Sequence, residues 1–421
     1  MFEKTVLDNG LRVVTSSMPH TRSVSVSFFV GAGSRCESDE IAGVSHFLEH
    51  MLFKGTERRP TAQEIAEEIE GIGGVMNAAT DKELTVYWAK VGHQHFARCL
   101  DVLADAVLNS VLDPTEIEKE RLVILEELAM TEDSPADLVG LLIDEVLWPK
   151  QPLGRDPGGS KQSVSALTRD QIRDYVDRYY APENTVLAVA GNVSHETVVD
   201  LANRHLGQWR RAPFGSWYPA VDGQDGPRVG LKSKKTEQAH ICLAVPGYSS
   251  NHPDRYALDV LNAILGEGMS SRLFLEIREK LALAYDVHSY VSHFRDAGSA
   301  VIGAGVDPKK VEPTIQAILA ELARLDEGIP DAELTKAKEF IKGRMQLRME
   351  DTRAVSSWLG GQELLRDEIL TVDEVLTAID RITPEDLHRV AQALFRPERL
   401  NLAIVGPYKS EDRFARILRR S

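Results

Sequence analysis

The sequence predicts an α+β protein built from two homologous half-repeats, each a mostly antiparallel sheet packed with helices. Three observations predict it. One passage occurs twice: Leu167-Thr168-Arg169-Asp170-Gln171-Ile172 with Ala181-Pro182-Glu183-Asn184, and Ile382-Thr383-Pro384-Glu385-Asp386-Leu387 with Arg396-Pro397-Glu398-Arg399. Each copy runs on into an apolar stretch that ends at glycine, and Thr168/Thr383, Pro182/Pro397 and Gly191/Gly406 are all 215 positions apart in a chain of 421. Repetition of one helix–turn–strand unit organises a fold. Strand-like stretches such as Ser23–Val30 and His240–Val245 also alternate with long amphipathic helices. Finally, joins as short as Thr80-Asp81-Lys82-Glu83 suit hairpins, and hairpins make antiparallel sheets.

The chain enters a strand at Thr5-Val6-Leu7, without the basic start and apolar stretch of a signal peptide and without an amphipathic leader. Beyond the strand at 23–30, Val44–Thr56 has helical spacing, with no proline or glycine between Ser45 and Lys54. One turn separates His46 from His50, so both imidazoles project from one face, with Glu49 beside them. Two imidazoles suit a borderline cation such as zinc, and the adjacent carboxylate can reach an attacking water. This His-x-x-Glu-His order is the inverse of the zincin motif. Chance alone would give two His and one acid at fixed offsets roughly 0.05 times in a chain of this composition. Phe47, Leu48, Met51, Leu52 and Phe53 make the helix largely buried, so its histidines need partners.

Gly74–Thr80 and Leu84–Ala89 read as a hairpin, and His93-Gln94-His95, with no acid nearby, reads as an exposed loop. Asp113-Pro114-Thr115 starts the next helix, whose apolar face is Ile117, Leu122, Leu125 and Leu128. Catalytic zinc needs a third protein ligand. Glu120 and Glu127 share one face of this helix and Glu126 points about 100° away; the pattern leaves Glu126 and Glu127 both open.

Gly, Pro and Asp cluster over 212–227, which divides the chain into a zinc-binding half at 1–215, a linker at 216–227 and a second half at 228–421. In the second half, Ala332–Arg344 matches the Glu116–Leu128 helix, with Arg344 near the place of Glu127. Leu261–Gly268 stands where the first half has its histidines. One half carries the donor set and the other has lost it. Gly266-Glu267-Gly268 lacks the lysine and the strand–loop–helix setting of a nucleotide site.

Hydrophobic residues at 43% and charged residues at 27% are ordinary for a soluble globular chain, and no apolar run reaches the ~18 residues of a membrane span. A net charge of −15 argues against nucleic acid. Three widely spaced cysteines (Cys36, Cys99, Cys242) argue against a disulfide framework or a cysteine zinc site. These features predict a cytoplasmic protein.

His46-Phe47-Leu48-Glu49-His50, Phe53-Lys54-Gly55-Thr56, Glu120-Arg121 and Glu127 resemble the pitrilysin family of zinc peptidases, the inverzincins, and within it the branch of mitochondrial processing peptidase. The resemblance covers nearly the whole chain. It places the distal ligand 77 positions after the second histidine, which selects Glu127. It implies one Zn2+ per chain held by His46, His50 and Glu127, Glu49 as general base, and Glu120 as a carboxylate that orients a metal-bound imidazole. It further implies that Asn77 and Ala78, on a sheet edge, align the substrate backbone by strand pairing. Arg278 and Tyr285, seven apart as in the family, would grip the peptide carbonyl, although this chain has Leu281-Ala282 where relatives commonly have Arg-Gly. The implied function is a zinc metalloendopeptidase acting on peptides or unfolded segments inside the closed chamber of a two-fold homodimer. Each composite site would combine the donor set of one chain with Arg278 and Tyr285 of the other. The alternative is a non-catalytic scaffold or partner subunit of a processing-peptidase-like assembly.

Overall fold

The computed structural model describes residues 2–366 and 368–419. Its first sheet contains β1 (Glu3–Val6), β2 (Arg12–Ser17), β3 (Ser23–Val30), β4 (Val75–Thr80), β5 (Thr85–Gly92) and β6 (Thr185–Gly191), in the order β1-β2-β6-β3-β5-β4. Every neighbouring pair is antiparallel except β2 with β6. The second sheet contains β7 (Arg228–Ser233), β8 (Ala239–Pro246), β9 (Ala284–His293), β10 (Gly298–Val306) and β11 (Asn401–Gly406), in the order β7-β11-β8-β10-β9, with only β7 and β11 parallel. The mostly antiparallel α+β architecture of two half-repeats is therefore present.

The duplicated passage has the same local chemistry in both copies. Thr168 closes a capping box with Gln171 at the start of the Arg169–Tyr179 helix, and Thr383 does so with Asp386 at the start of Pro384–Leu394. Each helix leads through a short 3-10 turn at Pro182 or Pro397 into β6 or β11. Between the halves, residues 209–227 form neither helix nor strand.

The chain divides into two compact units that do not follow its linear halves. One comprises Met1–Leu128, Asp156–Tyr218 and Gln346–Thr371; the other comprises Ala129–Arg155, Pro219–Met345 and Val372–Ser421. Division at 215 and 228 follows the repeat, whereas the units exchange a helix across it. Both faces of each sheet are apolar and need cover, and each half supplies one covering helix to the sheet of the other. Leu138, Val139, Ile143 and Leu147, on the Pro135–Leu147 helix, are buried with Cys242, Ala244, Val301, Ala403 and Val405 of the second sheet. Reciprocally, Val355, Leu359 and Leu364 of the Thr352–Leu365 helix are buried with Val14, Phe29, Val186 and Ala188 of the first.

This exchange explains the serines of β3. Their alternation with valine resembles a strand with one wet face, yet Ser25 and Ser27 are fully buried. Ser25 Oγ lies 3.1 Å from Thr352 Oγ1, and Ser27 Oγ 3.0 Å from Ser356 Oγ, so each hydroxyl has the partner that burial demands. Gly360 lets this helix approach closely, because a Cβ there would sit 2.2 Å from the Phe29 ring. No helix among the described residues is long and apolar enough to cross a membrane.

Candidate metal centre

The Val44–Met51 helix begins at Gly43, whose φ of 93° leaves no side chain to cap the first turn; a Cβ there would lie 2.6 Å from the Gly158 carbonyl oxygen. The fully buried Glu37 supplies the cap from outside the helix, accepting from Gly43 N at 2.8 Å and Ser45 N at 2.9 Å. Val44, Phe47, Leu48 and Met51 enter the core and leave His46, Glu49 and His50 only partly covered. The Pro114–Asp133 helix starts at Asp113, which accepts from Thr115 N and Glu116 N. Ile117, Glu120 and Ile124 are its buried residues, and Glu127 follows on their face while Glu126 is exposed. Arg121 fastens this helix: it donates to the carbonyls of Val164 and Leu167, and its guanidinium lies 5.4 Å from the centre of the Phe47 ring.

These constraints bring His46, His50 and Glu127 together, with one donor atom from each lying within 4.8 Å of the others. Glu127 Oε2 is 3.7 Å from His46 Nε2 and 3.6 Å from His50 Nε2. Donors about 2.1 Å from a tetrahedral ion are separated by roughly 3.4 Å, so the spacing and the N2O donor set fit zinc. Glu120 Oε2 accepts from His50 Nδ1 at 3.0 Å, which leaves the Nε2 lone pair free for a metal. Burial pushes the His46 pKa down, the neighbouring His50 adds to this, and Glu127 only partly opposes it, so the imidazole is kept in its neutral, ligating form. Its Nδ1 is buried without a partner among the described residues.

Lys54 is a contributor that sequence reasoning missed. Its Nζ lies 2.6 Å from Glu120 Oε1, so the two carboxylate oxygens are divided between an ammonium and an imidazole. Burial pushes the Glu120 carboxyl up, but the hydrogen bonds from Lys54 and His50 outweigh it and hold the group below the usual range. The motif contained Lys54, but its partner lies 66 positions away on another helix. Glu37 was missed although it lies only six and eight positions before the amides it caps, because it stands outside the helix and at no helical spacing from them. The carboxylate of Glu49 forms no hydrogen bond or ion pair with any described residue.

β4 is an edge strand, paired only with β5. It lies beside the histidine helix, and Thr80 Oγ1 contacts the Ser45 carbonyl at 3.5 Å. Met76 and Ala78 turn toward the core, while Asn77 is exposed and its Oδ1 accepts from Ala78 N at 2.8 Å. The outer edge of β4 is thus open for strand pairing.

Arg278 and Tyr285 belong to the other compact unit. The segment carrying them is locally irregular in three ways. Arg278 sits in a π-helical stretch, Phe274–Lys280, closed by Leu281 N donating to Glu276 O at 2.9 Å. Ala282 has φ 48°, the left-handed conformation that favours glycine. The β9–β10 register then shifts between Gly305, opposite Asp286, and Val306, opposite Ala284, leaving Tyr285 as the extra residue of a bulge. The result is a Tyr285 that is 77% exposed with the Arg278 guanidinium 4.6 Å from its ring centre.

In the second half, Asn262 Nδ2 donates to Glu267 Oε1 at 2.7 Å, and Arg344 lies 3.7 Å from Glu267.

Comparison with known proteins gives the same outline. Residues 12–159 match the family described as "Insulinase (Peptidase family M16)", and residues 166–341 match "Peptidase M16 inactive domain". A protein of Mycobacterium leprae (strain TN) named an uncharacterized zinc protease is 40% identical over 99% of this chain and 94% of its own length. The uncharacterized zinc protease YmxG of Bacillus subtilis (strain 168) is 38% identical over 97% and 98%. Among solved structures, a protease from Helicobacter pylori superposes with a TM-score of 0.91 at 25% identity, covering 97% of this chain and 99% of that one. A chain of complex III2 from Candida albicans shares the fold, with a TM-score of 0.86 at 22% identity, covering 99% of each.

Proposed function

The chain belongs to the M16 (pitrilysin) family of zinc peptidases, and from that premise we propose that it is a zinc-dependent endopeptidase hydrolysing peptides or unfolded protein segments. The observation that carries the reading is the convergence of His46, His50 and Glu127 donor atoms next to a Glu49 that has no hydrogen bond or ion pair among the described residues. A bound zinc ion supplies Lewis acidity, polarising the scissile carbonyl and acidifying water at neutral pH. His46, His50 and Glu127 hold that ion, and Glu120, fixed by Lys54, keeps the His50 ring in the ligating tautomer. The Glu49 carboxylate takes a proton from the attacking water and returns it to the leaving nitrogen. An extended substrate pairs with the free edge of β4 at Asn77 and Ala78, which sets its carbonyls in register.

Arg278 and Tyr285 donate hydrogen bonds to the carbonyl oxygen as negative charge develops on it. We assign these two residues to a second copy of the chain, in a two-fold homodimer with composite sites around a closed chamber. The irregular backbone that exposes Tyr285 beside Arg278 supports a role at a bound substrate. Three buried free thiols support a reducing, cytoplasmic setting.

A scaffold role without catalysis would require none of Glu49, Glu127 or the Lys54–Glu120 pair, and all are kept. The test is hydrolysis of an unfolded protein by metal-loaded protein, with zinc counted per chain. Chelator-sensitive cleavage at about one zinc per chain is expected; a zinc-loaded protein that cleaves nothing would leave the scaffold reading standing.

A further inference from the structure

One buried cation joins three segments that lie far apart in the chain. Arg35 is fully buried in the 3-10 turn Ser34–Cys36, between β3 and the histidine helix. Its Nη1 donates to Glu83 Oε1 at 2.7 Å, in the turn that joins β4 to β5. Its Nε and Nη2 donate to the Tyr218 carbonyl at 3.3 and 2.9 Å, and Tyr218 N donates back to the Arg35 carbonyl at 2.8 Å. The Trp217 ring covers the guanidinium, whose carbon lies 4.5 Å from the ring centre. Trp217 and Tyr218 fall in the stretch that composition marks as a linker, yet both pack within the first compact unit. Tyr179 fastens the same stretch, its hydroxyl 2.9 Å from the Cys36 carbonyl and 3.2 Å from that of Ser216. The turn at 33–37 also grips both components of the candidate site. Ser34 N and Arg35 N donate to the carbonyls of Asp81 and Lys82 at the hairpin tip, at 3.3 and 2.8 Å. A Cβ on Gly33 would lie 2.2 Å from the Asp81 oxygen, so only glycine allows that approach. Two residues beyond Arg35, Glu37 caps the histidine helix.

We propose that Arg35 is a positioning residue for peptide hydrolysis: it holds β4 in register with the metal centre, and the linker residues Trp217 and Tyr218 complete its grip. This rests on the peptidase reading above. β4 is paired on one side only, so its placement depends on β5 and on the hairpin tip that Arg35 holds through Glu83. A substrate lying along β4 inherits any displacement of that strand, and about 1 Å at the reacting carbonyl can cost ~100-fold in rate. Arginine suits the task where lysine would not, because its planar fork reaches a carboxylate and a carbonyl at once. Burying an ion pair is costly unless the geometry is good and the remaining donors are satisfied. The linker meets that condition twice, with the Tyr218 carbonyl on Nε and Nη2 and with the Trp217 ring over the cation. The hold on the hairpin is therefore firm only while Trp217 and Tyr218 are docked.

The test compares two substrates: an unfolded peptide of roughly 12 residues, long enough to run the length of β4, and a tetrapeptide reporter that pairs with little of it. Trp217 is half-buried, so Trp217→Ala uncovers Arg35 without opening the core. Its kcat/KM on the long peptide should fall roughly 3- to 30-fold, with little change on the tetrapeptide and none in zinc affinity. Arg35→Lys, which cannot serve Glu83 and Tyr218 together, should lose roughly 10- to 100-fold on the long peptide. Trp217→Phe keeps an aromatic face over the guanidinium and should recover most of the rate. Equal losses on both peptides would make Arg35 a residue of stability alone. That outcome, or an unchanged rate on the long peptide in both Trp217→Ala and Arg35→Lys, overturns the proposal and leaves the peptidase reading intact. If the wild-type protein cleaves neither peptide, the peptidase reading fails and amide hydrogen exchange decides the remaining question. Amides at 76–83 should then exchange roughly 10-fold faster in Trp217→Ala while those at 44–51 keep their protection; equal protection at 76–83 in both proteins overturns the hold of Arg35 on β4.

Discussion

Replacing Glu49 by glutamine removes the group at the metal centre that can accept a proton and that has no structural partner among the described residues. Glu49→Gln should therefore keep its zinc and its thermal stability while losing about 10²–10⁴-fold in kcat. Near-wild-type turnover would assign the base elsewhere. Lys54 answers to a different measurement. Lys54→Met leaves the buried Glu120 without its cation and loosens its hold on His50 Nδ1. Zinc affinity, measured by chelator competition, should fall by roughly 10- to 100-fold, and Lys54→Arg should recover part of it. Unchanged affinity in Lys54→Met would reduce Lys54 to a surface charge. Glu127→Gln should lose the metal and Glu126→Gln should keep it. At this scale the sequence was most legible where the chemistry is local: His46, Glu49 and His50 lie within five residues, and one helix period puts them on one face. Lys54 and Glu120 meet through tertiary contacts that no periodicity encodes, and Glu37 caps the helix from a loop just ahead of it.

The loop ahead of Tyr285 holds a non-glycine residue in a conformation that favours glycine. Ala282 holds φ 48°, where a side chain costs roughly 1–2 kcal/mol. Glycine would relieve that at an entropic cost of about 0.4–1 kcal/mol in the unfolded chain. Ala282→Gly should thus stabilise the protein by about 0.5–1 kcal/mol in urea titration, opposite in sign to most alanine-to-glycine changes; destabilisation would contradict the left-handed loop. Helix Thr352–Leu365 gives the converse case. Gly360→Ala drives a methyl into the Phe29 ring and should cost about 1–3 kcal/mol. The existence and order of elements could be read from period and turn residues. What each helix covers could not, because an amphipathic stripe states that a face must be buried and leaves open which sheet buries it. The serines of β3 mislead for that reason, since the helix that hides Ser25 and Ser27 lies more than 300 residues further along the chain.

At the scale of the molecule, the exchanged helices make the two halves interdependent. Expressed alone, 1–215 lacks the cover for Val14, Phe29, Val186 and Ala188, and 228–421 lacks the cover for Cys242, Ala244 and Val405. Each should be insoluble or bind a hydrophobic dye, and co-expression should restore a folded complex; two independently soluble, cooperatively folding halves would contradict the exchange. Composite sites in a homodimer make a separate prediction. Mixing Glu49→Gln with Arg278→Ala under subunit exchange should return roughly a quarter of wild-type activity, because half of random pairs are mixed and each mixed pair has one intact site. No recovery, with exchange verified, would sink the shared site and leave the metal centre standing. The exchange also sets a timetable for the ribosome. Gly191 ends the last strand of the first sheet, yet Leu365, which closes the helix over it, is added 174 residues later. At about 5–20 residues per second that is a delay of roughly 10–35 s, during which an apolar sheet face stays open on the nascent chain. A ribosome-stalled chain ending near residue 330 should therefore cross-link strongly to a nascent-chain chaperone, and one extended past residue 400 should not.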